Sequence, residues 1–254
     1  MYEESIRAEF TRQTEVFAHA RALRSEQALG VLVGLGPAAP EARWLEVASG
    51  PGMISRAIAG RVGSVHGVDL TPAMVAKAEE TARAEGIGNV SFGVGDVTAL
   101  ELEDDSFDGA ITRFSLHHIP VPGRVLAEMA RVVRPGGAVV VADILTDADA
   151  EAAAWREEIE RLRDPSHWAC LTRERLLAAG AAAGLELDEE RVVGLELDYD
   201  DWLRRSSGGP GAAALIDRLL AAPPVGAESF RVEGSADGRR LLLHNSVTRW
   251  RVTG

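Results

Sequence analysis

The chain has 254 residues, with 27 Lys or Arg and 39 Asp or Glu, so its formal charge is −12. This acidic balance argues against a nucleic-acid binder or a protein of anionic membrane surfaces, because phosphate affinity comes from basic side chains. The single cysteine, Cys170, excludes an intrachain disulfide. The chain also lacks a signal-peptide pattern and an apolar run of about 18 residues, so we expect a cytoplasmic protein without a membrane span.

Residues 3–35 are predicted to form one or two amphipathic helices, because apolar positions recur there mostly at intervals of three to seven. Strands and helices then alternate, and Thr71-Pro72 marks the start of one helix that runs to about Glu85. The five predicted strands are RWLEV (43–47), SVHGVD (64–69), NVSFGVGD (89–96, with its turn), FDGAITRF (107–114) and AVVVADI (138–144). This alternation predicts a parallel sheet with helices on both faces, whose ligand lies beyond the carboxyl ends of the strands.

The pattern changes after residue 145. The predicted elements there are a charged helix (149–163), a loop (163–171), a helix capped by Thr172 and ending near Ala183, an extended LELDEERVVGLEL (185–197), two short helices (199–205 and 211–221) and a closing strand RRLLLHNSVTRWRV (239–252). RPGG (134–137) is predicted to be a turn before the fifth strand.

The strongest motif is LEVASGPG at 45–52, in which a strand ends, glycines turn the chain and a helix begins. Gly50 and Gly52 let the backbone approach a ligand closely, and the following helix offers free N–H groups. An ordinary strand-to-helix turn has the same appearance, so the motif alone does not settle the matter.

Two acids follow the next two strands. Asp69 can accept hydrogen bonds from both hydroxyls of a ribose, or simply favour the helix N-terminus that follows it. Asp96 can accept a hydrogen bond from an adenine amino group, with the Val97 N–H serving a ring nitrogen, or it can form an Asx turn. A glycine turn and two acids at three successive strand ends together favour an adenosyl ligand.

Two adenine cofactors fit such a site. A nicotinamide or flavin pyrophosphate requires the full G-x-G-x-x-G/A, and here the sixth position counted from Gly50 is Ser55. The only lysine, Lys77, does not follow a tyrosine by four positions, which argues further against a Tyr-x-x-x-Lys oxidoreductase. S-adenosylmethionine carries no pyrophosphate and needs only glycines and backbone donors for its methionine end.

With these residues the sequence resembles the class I S-adenosylmethionine-dependent methyltransferases, in the small-molecule branch similar to ubiquinone/menaquinone biosynthesis and natural-product methyltransferases. The matching segments are LEVASGPG, HGVDLTPAMVAKA, VSFGVGDVTALELEDDSFDGAITRFSLHHI and EMARVVRPGGAVVVADI, within about 42–145. The sequence departs from the family at Ala48-Ser49, where Gly-Cys is usual.

The resemblance implies a Rossmann-like, doubly wound α/β fold with a seven-stranded sheet whose last strand is antiparallel. It implies an N-terminal helical lid (1–40), a cofactor domain (41–254) and a variable substrate-covering segment (145–172). Phe10, Gln13 and Phe17 fit the lid pattern F-x-x-Q-x-x-x-Y/F. The cofactor residues that it implies are Ala48, Ser49, Gly50, Gly52, Asp69, Leu70, Met74, Asp96, Val97, Arg113 and Phe17.

Methyl transfer depends mainly on alignment of the reacting atoms, and an alcohol or weakly acidic phenol also needs a base. His117 and His118 follow the fourth strand, and Asp143 ends the fifth. Similarity to natural-product sugar methyltransferases makes His118 the leading base and Asp143 its orienting partner. His167 is a second candidate base or substrate contact. Each histidine also has a purely structural interpretation.

We therefore expect methyl transfer from S-adenosylmethionine to a small-molecule acceptor, foremost at a hydroxyl, with S-adenosylhomocysteine as product. The alternatives are cyclisation or decarboxylation aided by the same cofactor, a nicotinamide-dependent oxidoreductase, and a non-catalytic binding subunit. The expected partner is the acceptor alone, without nucleic acid, in a monomer or homodimer. The sequence offers no convincing metal site.

Overall fold

The computed structural model describes residues 2–19, 26–36, 39–205, 207–235 and 238–254. The helices are α1 (Tyr2–His19), α2 (Glu26–Leu35), α3 (Met53–Ala59), α4 (Pro72–Ala84), α5 (Pro122–Val132), α6 (Ala150–Arg163), α7 (Arg173–Ala182), α8 (Tyr199–Arg204) and α9 (Pro210–Leu220). The strands are β1 (Arg43–Val47), β2 (Ser64–Asp69), β3 (Val90–Val94), β4 (Phe107–Arg113), β5 (Val133–Ile144), β6 (Leu185–Asp198), β7 (Phe230–Ser235) and β8 (Gly238–Val252).

The sheet has the order β3-β2-β1-β4-β5-β8-β6, with β7 paired to β8. The first five strands are parallel, and β8 runs antiparallel to β5, β6 and β7. The chain winds outward from β1 through β2 to β3 and then returns to place β4 on the other side of β1. The order of the strands therefore reverses between β1 and β4, which is where sheets of this kind open a ligand crevice.

The predicted doubly wound α/β fold is confirmed, but the sheet has eight strands among the described residues rather than seven. The additional strand is β7, which pairs with the first half of the long β8 while β5 pairs with the second half. Phe230–Ser235 forms only six residues of strand, and its edge pairing depends on a distant partner. The sequence pattern alone therefore did not reveal it.

Two hydrophobic clusters cover the two faces of the sheet. One includes Val125 and Met129 of α5 with Leu176 of α7, and the other includes Leu32 of α2 and Ile58 of α3. The central strand β5 is buried without interruption over its last eight residues, as expected for a strand covered on both faces. A third cluster joins α6, α8 and α9 to the extension formed by β6, β7 and β8.

Some local details differ from the sequence predictions. RPGG lies inside β5 as defined by the structure, where the register with β4 shifts between Phe107 and Gly109. Thr71 occupies the N-cap position of α4, but its side chain accepts no helix N–H. Thr172, in contrast, caps α7 by accepting a hydrogen bond from the Arg175 N–H. None of the helices described is both long and apolar enough to cross a bilayer.

Candidate active site

A cavity of about 300 Å³ opens at the carboxyl ends of β1 to β4. The loops after these four strands form its walls, and Ile6 and Phe10 of α1 close one side. Its position coincides with the reversal of strand order between β1 and β4. The volume lies at the lower end of the range of small-ligand sites, about 300–1,000 Å³.

The glycine turn after β1 runs through three residues with positive φ: Ala48 at 53°, Gly50 at 51° and Gly52 at 71°. A Cβ at Gly50 would project into open space, whereas a Cβ at Gly52 would lie 2.6 Å from the Phe92 ring. Gly50 lines the cavity, and Gly52 instead accommodates Phe92. The missing Cβ therefore leaves open space in the cavity at Gly50 and makes room for the Phe92 ring at Gly52.

Asp69, at the end of β2, connects two walls of the cavity. Its Oδ2 accepts a hydrogen bond from the Gly50 N–H at 2.8 Å, and its Oδ1 accepts one from the Thr71 N–H at 2.8 Å. Burial raises the pKa of Asp69, although these two bonds counteract the shift. Each carboxylate oxygen has a second lone pair, so the group retains capacity for a ligand hydroxyl.

Asp96 forms the Asx turn that the sequence left open as an alternative. Its Oδ1 accepts hydrogen bonds from the N–H and the hydroxyl of Thr98, both at 2.8 Å. Asp96 and Val97 nevertheless line the cavity, together with Leu70 and Met74 from the start of α4. Forming the Asx turn therefore does not remove Asp96 from the lining of the cavity.

Glu46 and Arg113 also line the cavity, and of these two only Arg113 was predicted from the sequence. Glu46 is buried in β1 and accepts hydrogen bonds from the N–H and hydroxyl of Ser55. Burial raises the pKa of Glu46 to about 7. Burial also lowers the pKa of Arg113 to about 10, so its guanidinium remains charged at neutral pH. The sequence signal that could have identified Glu46 is an acidic residue within the largely apolar strand RWLEV.

His118 lies in the short 3-10 turn Leu116–His118 after β4 and lines the cavity. Its Nδ1 is 3.1 Å from the Ser166 carbonyl oxygen, and its ring meets the Phe10 ring edge-on with centroids 5.0 Å apart. The pKa of His118 lies well below the usual histidine range. Burial is the largest cause, and the positive charge of His117 is the second largest. The imidazole is therefore neutral at pH 7.

The predicted pair of His118 with Asp143 is wrong, because Asp143 pairs with His117. The Asp143 Oδ1 lies 2.6 Å from Nδ1 of His117, and its Oδ2 accepts a hydrogen bond from the Leu116 N–H. Burial alone would lower the pKa of His117, but the charge and hydrogen bond of Asp143 raise it overall. Neither His117 nor Asp143 lines the cavity. They form a buried ion pair behind the turn that carries His118.

His167 also lies outside the cavity lining. Its Nε2 is 2.8 Å from Glu157 Oε2, and the other Glu157 oxygen accepts a hydrogen bond from the Cys170 N–H. The potential ligand atoms of Glu157, His167 and Cys170 lie within 4.8 Å of one another, a cluster that the sequence pattern does not reveal. Its hydrogen bonds fasten the loop after α6 to that helix.

The structure thus gathers most of the predicted site residues around one cavity. Those that line it are Ala48, Ser49, Gly50, Asp69, Leu70, Met74, Asp96, Val97, Arg113 and His118. Those that lie elsewhere are Gly52, His117, Asp143 and His167. The side chain of Phe17 lies outside the described residues.

Comparisons with known proteins agree with this arrangement. Residues 45–141 match the family model described as "Methyltransferase domain". Over 235 residues the chain is 28% identical to the uncharacterized methyltransferase YcgJ of Bacillus subtilis, covering 91% of this chain and 92% of that protein. The crystal structure of YcgJ superposes with a TM-score of 0.85 at 25% identity, covering 90% of this chain and 99% of that chain.

A second relative matches a shorter part of the chain. The demethylmenaquinone methyltransferase of Renibacterium salmoninarum is 38% identical over 106 residues, or 42% of this chain and 43% of that protein. A structure of a Haemonchus contortus phosphoethanolamine N-methyltransferase with bound S-adenosylhomocysteine has a TM-score of 0.63 at 20% identity, covering 91% of this chain and 53% of that one. This last likeness shows the fold alone. The family model over residues 45–141, the full-length relative and the fold together support a class I S-adenosylmethionine-dependent methyltransferase.

Proposed function

We propose that this methyltransferase acts on a hydroxyl group of a small-molecule acceptor and that His118 is the general base. The observation that carries the proposal is the shared cavity: the neutral imidazole of His118 lines the same space as the glycine turn, Asp69 and Asp96. A proton acceptor beside a cofactor cavity is the feature that a hydroxyl acceptor requires and that a more nucleophilic acceptor does not.

The residues of the cavity fit S-adenosylmethionine. The Ser49 hydroxyl is buried and finds no hydrogen-bond partner among the described residues, and Gly50 leaves open space where a Cβ would stand. We assign Asp69 to the ribose hydroxyls, Asp96 and Val97 to the adenine edge, and Arg113 to the methionine end. The guanidinium of Arg113 suits a carboxylate.

S-adenosylmethionine, when bound, supplies a methyl group whose bond to sulfur breaks as the acceptor oxygen bonds to the methyl carbon, and the electron pair stays on sulfur to give S-adenosylhomocysteine. The chain itself orients the reactants and excludes water from them. The Nε2 lone pair of His118 takes the hydroxyl proton, and the ring becomes an imidazolium that releases the proton to solvent after turnover.

The low basicity of His118 narrows the acceptor class. A histidine with a lowered pKa takes a proton readily only from a donor that is already acidic. We therefore propose a phenolic or enolic hydroxyl rather than an alkyl alcohol. The apolar residues beside His118 suit a flat, largely apolar molecule: Ile6 and Phe10 on α1, and Ile119 and Val121 after the 3-10 turn. Ile6 and Phe10 of α1 support the assignment of residues 1–40 as a lid, whereas no residue of the predicted substrate-covering segment 145–172, all of which the structure describes, lines the cavity.

A turnover assay tests the proposal. The protein is incubated with S-adenosylmethionine and a panel of catechol, a reduced naphthoquinone, a flavonol and cyclohexanol, and S-adenosylhomocysteine and methylated product are measured by mass spectrometry. We expect acceptor-dependent product from the phenols or enol but not from cyclohexanol. His118→Ala should lower kcat by about 10²–10⁴-fold with cofactor affinity retained.

The matched control is His66→Ala, which removes a histidine of β2 that lies outside the cavity lining. Turnover by His118→Ala at the wild-type rate would refute the assigned base. Methylation of a nitrogen or carbon instead of oxygen would refute the hydroxyl acceptor, and an altered acceptor without S-adenosylhomocysteine would point to cyclisation or decarboxylation.

A further inference from the structure

The loop that follows α6 is fixed onto the turn that carries His118. The N–H groups of Trp168 and Ala169 both donate to the His117 carbonyl oxygen, at 2.9 and 3.1 Å. The same loop brings the carbonyl oxygen of Ser166 to 3.1 Å and its hydroxyl oxygen to 3.2 Å from Nδ1 of His118. His118 is thus held from outside the cavity by a segment almost fifty residues away in sequence.

These contacts determine which ring nitrogen carries the proton. A carbonyl oxygen can only accept a hydrogen bond, so Nδ1 of His118 must be the N–H donor to Ser166. In a neutral imidazole the second nitrogen, Nε2, then holds the lone pair. The tautomer required of a base that works through Nε2 is therefore set by Ser166.

Asp164 in turn holds Ser166 in place. Its Oδ1 accepts hydrogen bonds from the Ser166 N–H at 2.9 Å and from the Ser166 hydroxyl at 2.6 Å. The two side chains are almost fully buried, with exposures of 5% and 1%. The Ser166 hydroxyl donates its proton to Asp164, so the Ser166 hydroxyl oxygen can accept a hydrogen bond from His118.

We propose that Asp164 and Ser166 are positioning residues that hold His118 in the tautomer with a proton on Nδ1 and a proton-accepting lone pair on Nε2. This inference deepens the proposed function, on which its kinetic part rests. Asp164 and the Ser166 carbonyl oxygen favour the charged form of the His118 ring, burial, His117 and His167 oppose it, and Phe10 packs against it. The negative charge of Asp164 therefore also stabilises the imidazolium that forms during turnover.

Nitrogen-15 NMR of the histidine-labelled protein tests the tautomer directly. The His118 resonances are assigned by their loss in His118→Gln. We expect wild-type protein at pH 7.5 to show His118 with a protonated Nδ1 and an unprotonated Nε2. A wild-type His118 protonated on Nε2, or on both nitrogens, would overturn the proposal without reference to activity.

Two substitutions at Asp164 separate geometry from charge. Asp164→Ala removes the acceptor that orders Ser166, so we expect both His118 tautomers to be populated and kcat to fall by about 10–100-fold, with the KM for S-adenosylmethionine changed less than twofold. Asp164→Asn keeps a side-chain oxygen that can accept both Ser166 bonds, so it should keep the wild-type tautomer and recover most of the kcat.

The control is Asp149→Ala, which removes another carboxylate that accepts from two backbone N–H groups, at the exposed start of α6 and outside the cavity lining. It should leave the His118 spectrum and kcat unchanged. Wild-type spectra and kcat in folded Asp164→Ala would overturn the positioning role. The expected tautomer in a protein that methylates no hydroxyl acceptor would instead refute the proposed function while leaving the tautomer assignment standing.

Discussion

Ala48 adopts a backbone conformation that L-residues avoid, with φ at 53°. A non-glycine residue in this left-handed region is destabilised by roughly 1–2 kcal/mol. Glycine is usual at this position in the family that the sequence resembles, and the positive φ supplies the reason. Ala48 is small enough to be tolerated, but its Cβ strains the turn that forms one wall of the cavity.

Ala48→Gly should therefore stabilise the protein by about 0.5–1 kcal/mol, the relief of strain less the greater entropy of glycine in the unfolded chain. For a protein of this size the melting temperature should rise by roughly 1–4 °C. Ala154→Gly, in the exposed middle of α6, is the matched control and should lower it by a similar amount. A lower melting temperature for Ala48→Gly would contradict the assigned strain.

Burial of Glu46 predicts that the stability of the folded protein depends on pH. The pKa of Glu46 rises from 4.5 in the unfolded chain to about 7 in the folded state because of burial, so between these values the folded state holds the extra proton. Its contribution to stability is therefore lost progressively as the pH rises from about 4.5 to 7. Glu46→Gln should gain stability relative to wild type over this range, by up to about 3 kcal/mol at pH 8.

Urea unfolding at pH 5, 6, 7 and 8 measures this difference. Gln can still accept both Ser55 hydrogen bonds through its amide oxygen, so the packing is kept. Glu101→Gln, on an exposed loop, should give a curve parallel to that of wild type. A Glu46→Gln difference that does not change with pH would show that Glu46 is ionised in the folded protein at pH 5.

At the scale of elements, α1 contributes to the cavity although it precedes the sheet in sequence. Ile6 and Phe10 line the cavity, and the Phe10 ring lies edge-on to His118. Gln13 reaches back to Glu9 on the same helix and to Ser207, at 3.5 Å, in the loop after α8. The N-terminal helix therefore contacts both His118 and the loop after α8.

Phe10→Ala should weaken acceptor binding, because the lost ring leaves the apolar side of the cavity open to water. We expect the KM for a phenolic acceptor to rise about tenfold, equivalent to 1.4 kcal/mol, with a smaller change in S-adenosylhomocysteine affinity. Leu215→Ala, on the exposed side of α9, is the control for loss of an apolar side chain. An unchanged acceptor KM in Phe10→Ala would argue against a lid role for α1.

At the scale of the whole molecule, the proposed contact between Asp69 and the ligand predicts that ligand binding stabilises the fold. This side chain joins the glycine turn after β1 to the start of α4, so a ligand that contacts it stabilises two loops at once. A ligand at one hundred times its Kd adds about 2.7 kcal/mol to the free energy of unfolding. S-adenosylhomocysteine at that level should raise the melting temperature by roughly 5–10 °C.

Asp69→Asn should raise the Kd for S-adenosylhomocysteine at least tenfold in isothermal titration calorimetry, because one amide oxygen cannot serve both backbone N–H groups and a ribose. Asp108→Asn is the matched control: its carboxylate accepts a hydrogen bond from the Arg43 N–H at the opposite end of the sheet. A Kd for Asp69→Asn within twofold of wild type would refute the assignment of Asp69 to the ligand.

The sequence by itself determined the alternation of strands and helices and the position of the segments that line the cavity. Strand and helix periods, glycine turns and acids at strand ends are local properties, so LEVASGPG, Asp69 and Asp96 could be located before the fold was known. The carboxyl ends of parallel strands meet at one edge, which is why these separate segments line one cavity.

Only the tertiary structure decided how the histidines divide their roles. His117 and His118 are adjacent in sequence, yet one ring pairs with Asp143 behind the turn and the other lines the cavity. Local pattern cannot specify that division, because it depends on where the distant loop with Asp164 and Ser166 docks. The eighth strand escaped prediction for the same reason: β7 exists as a strand through its pairing with the long β8.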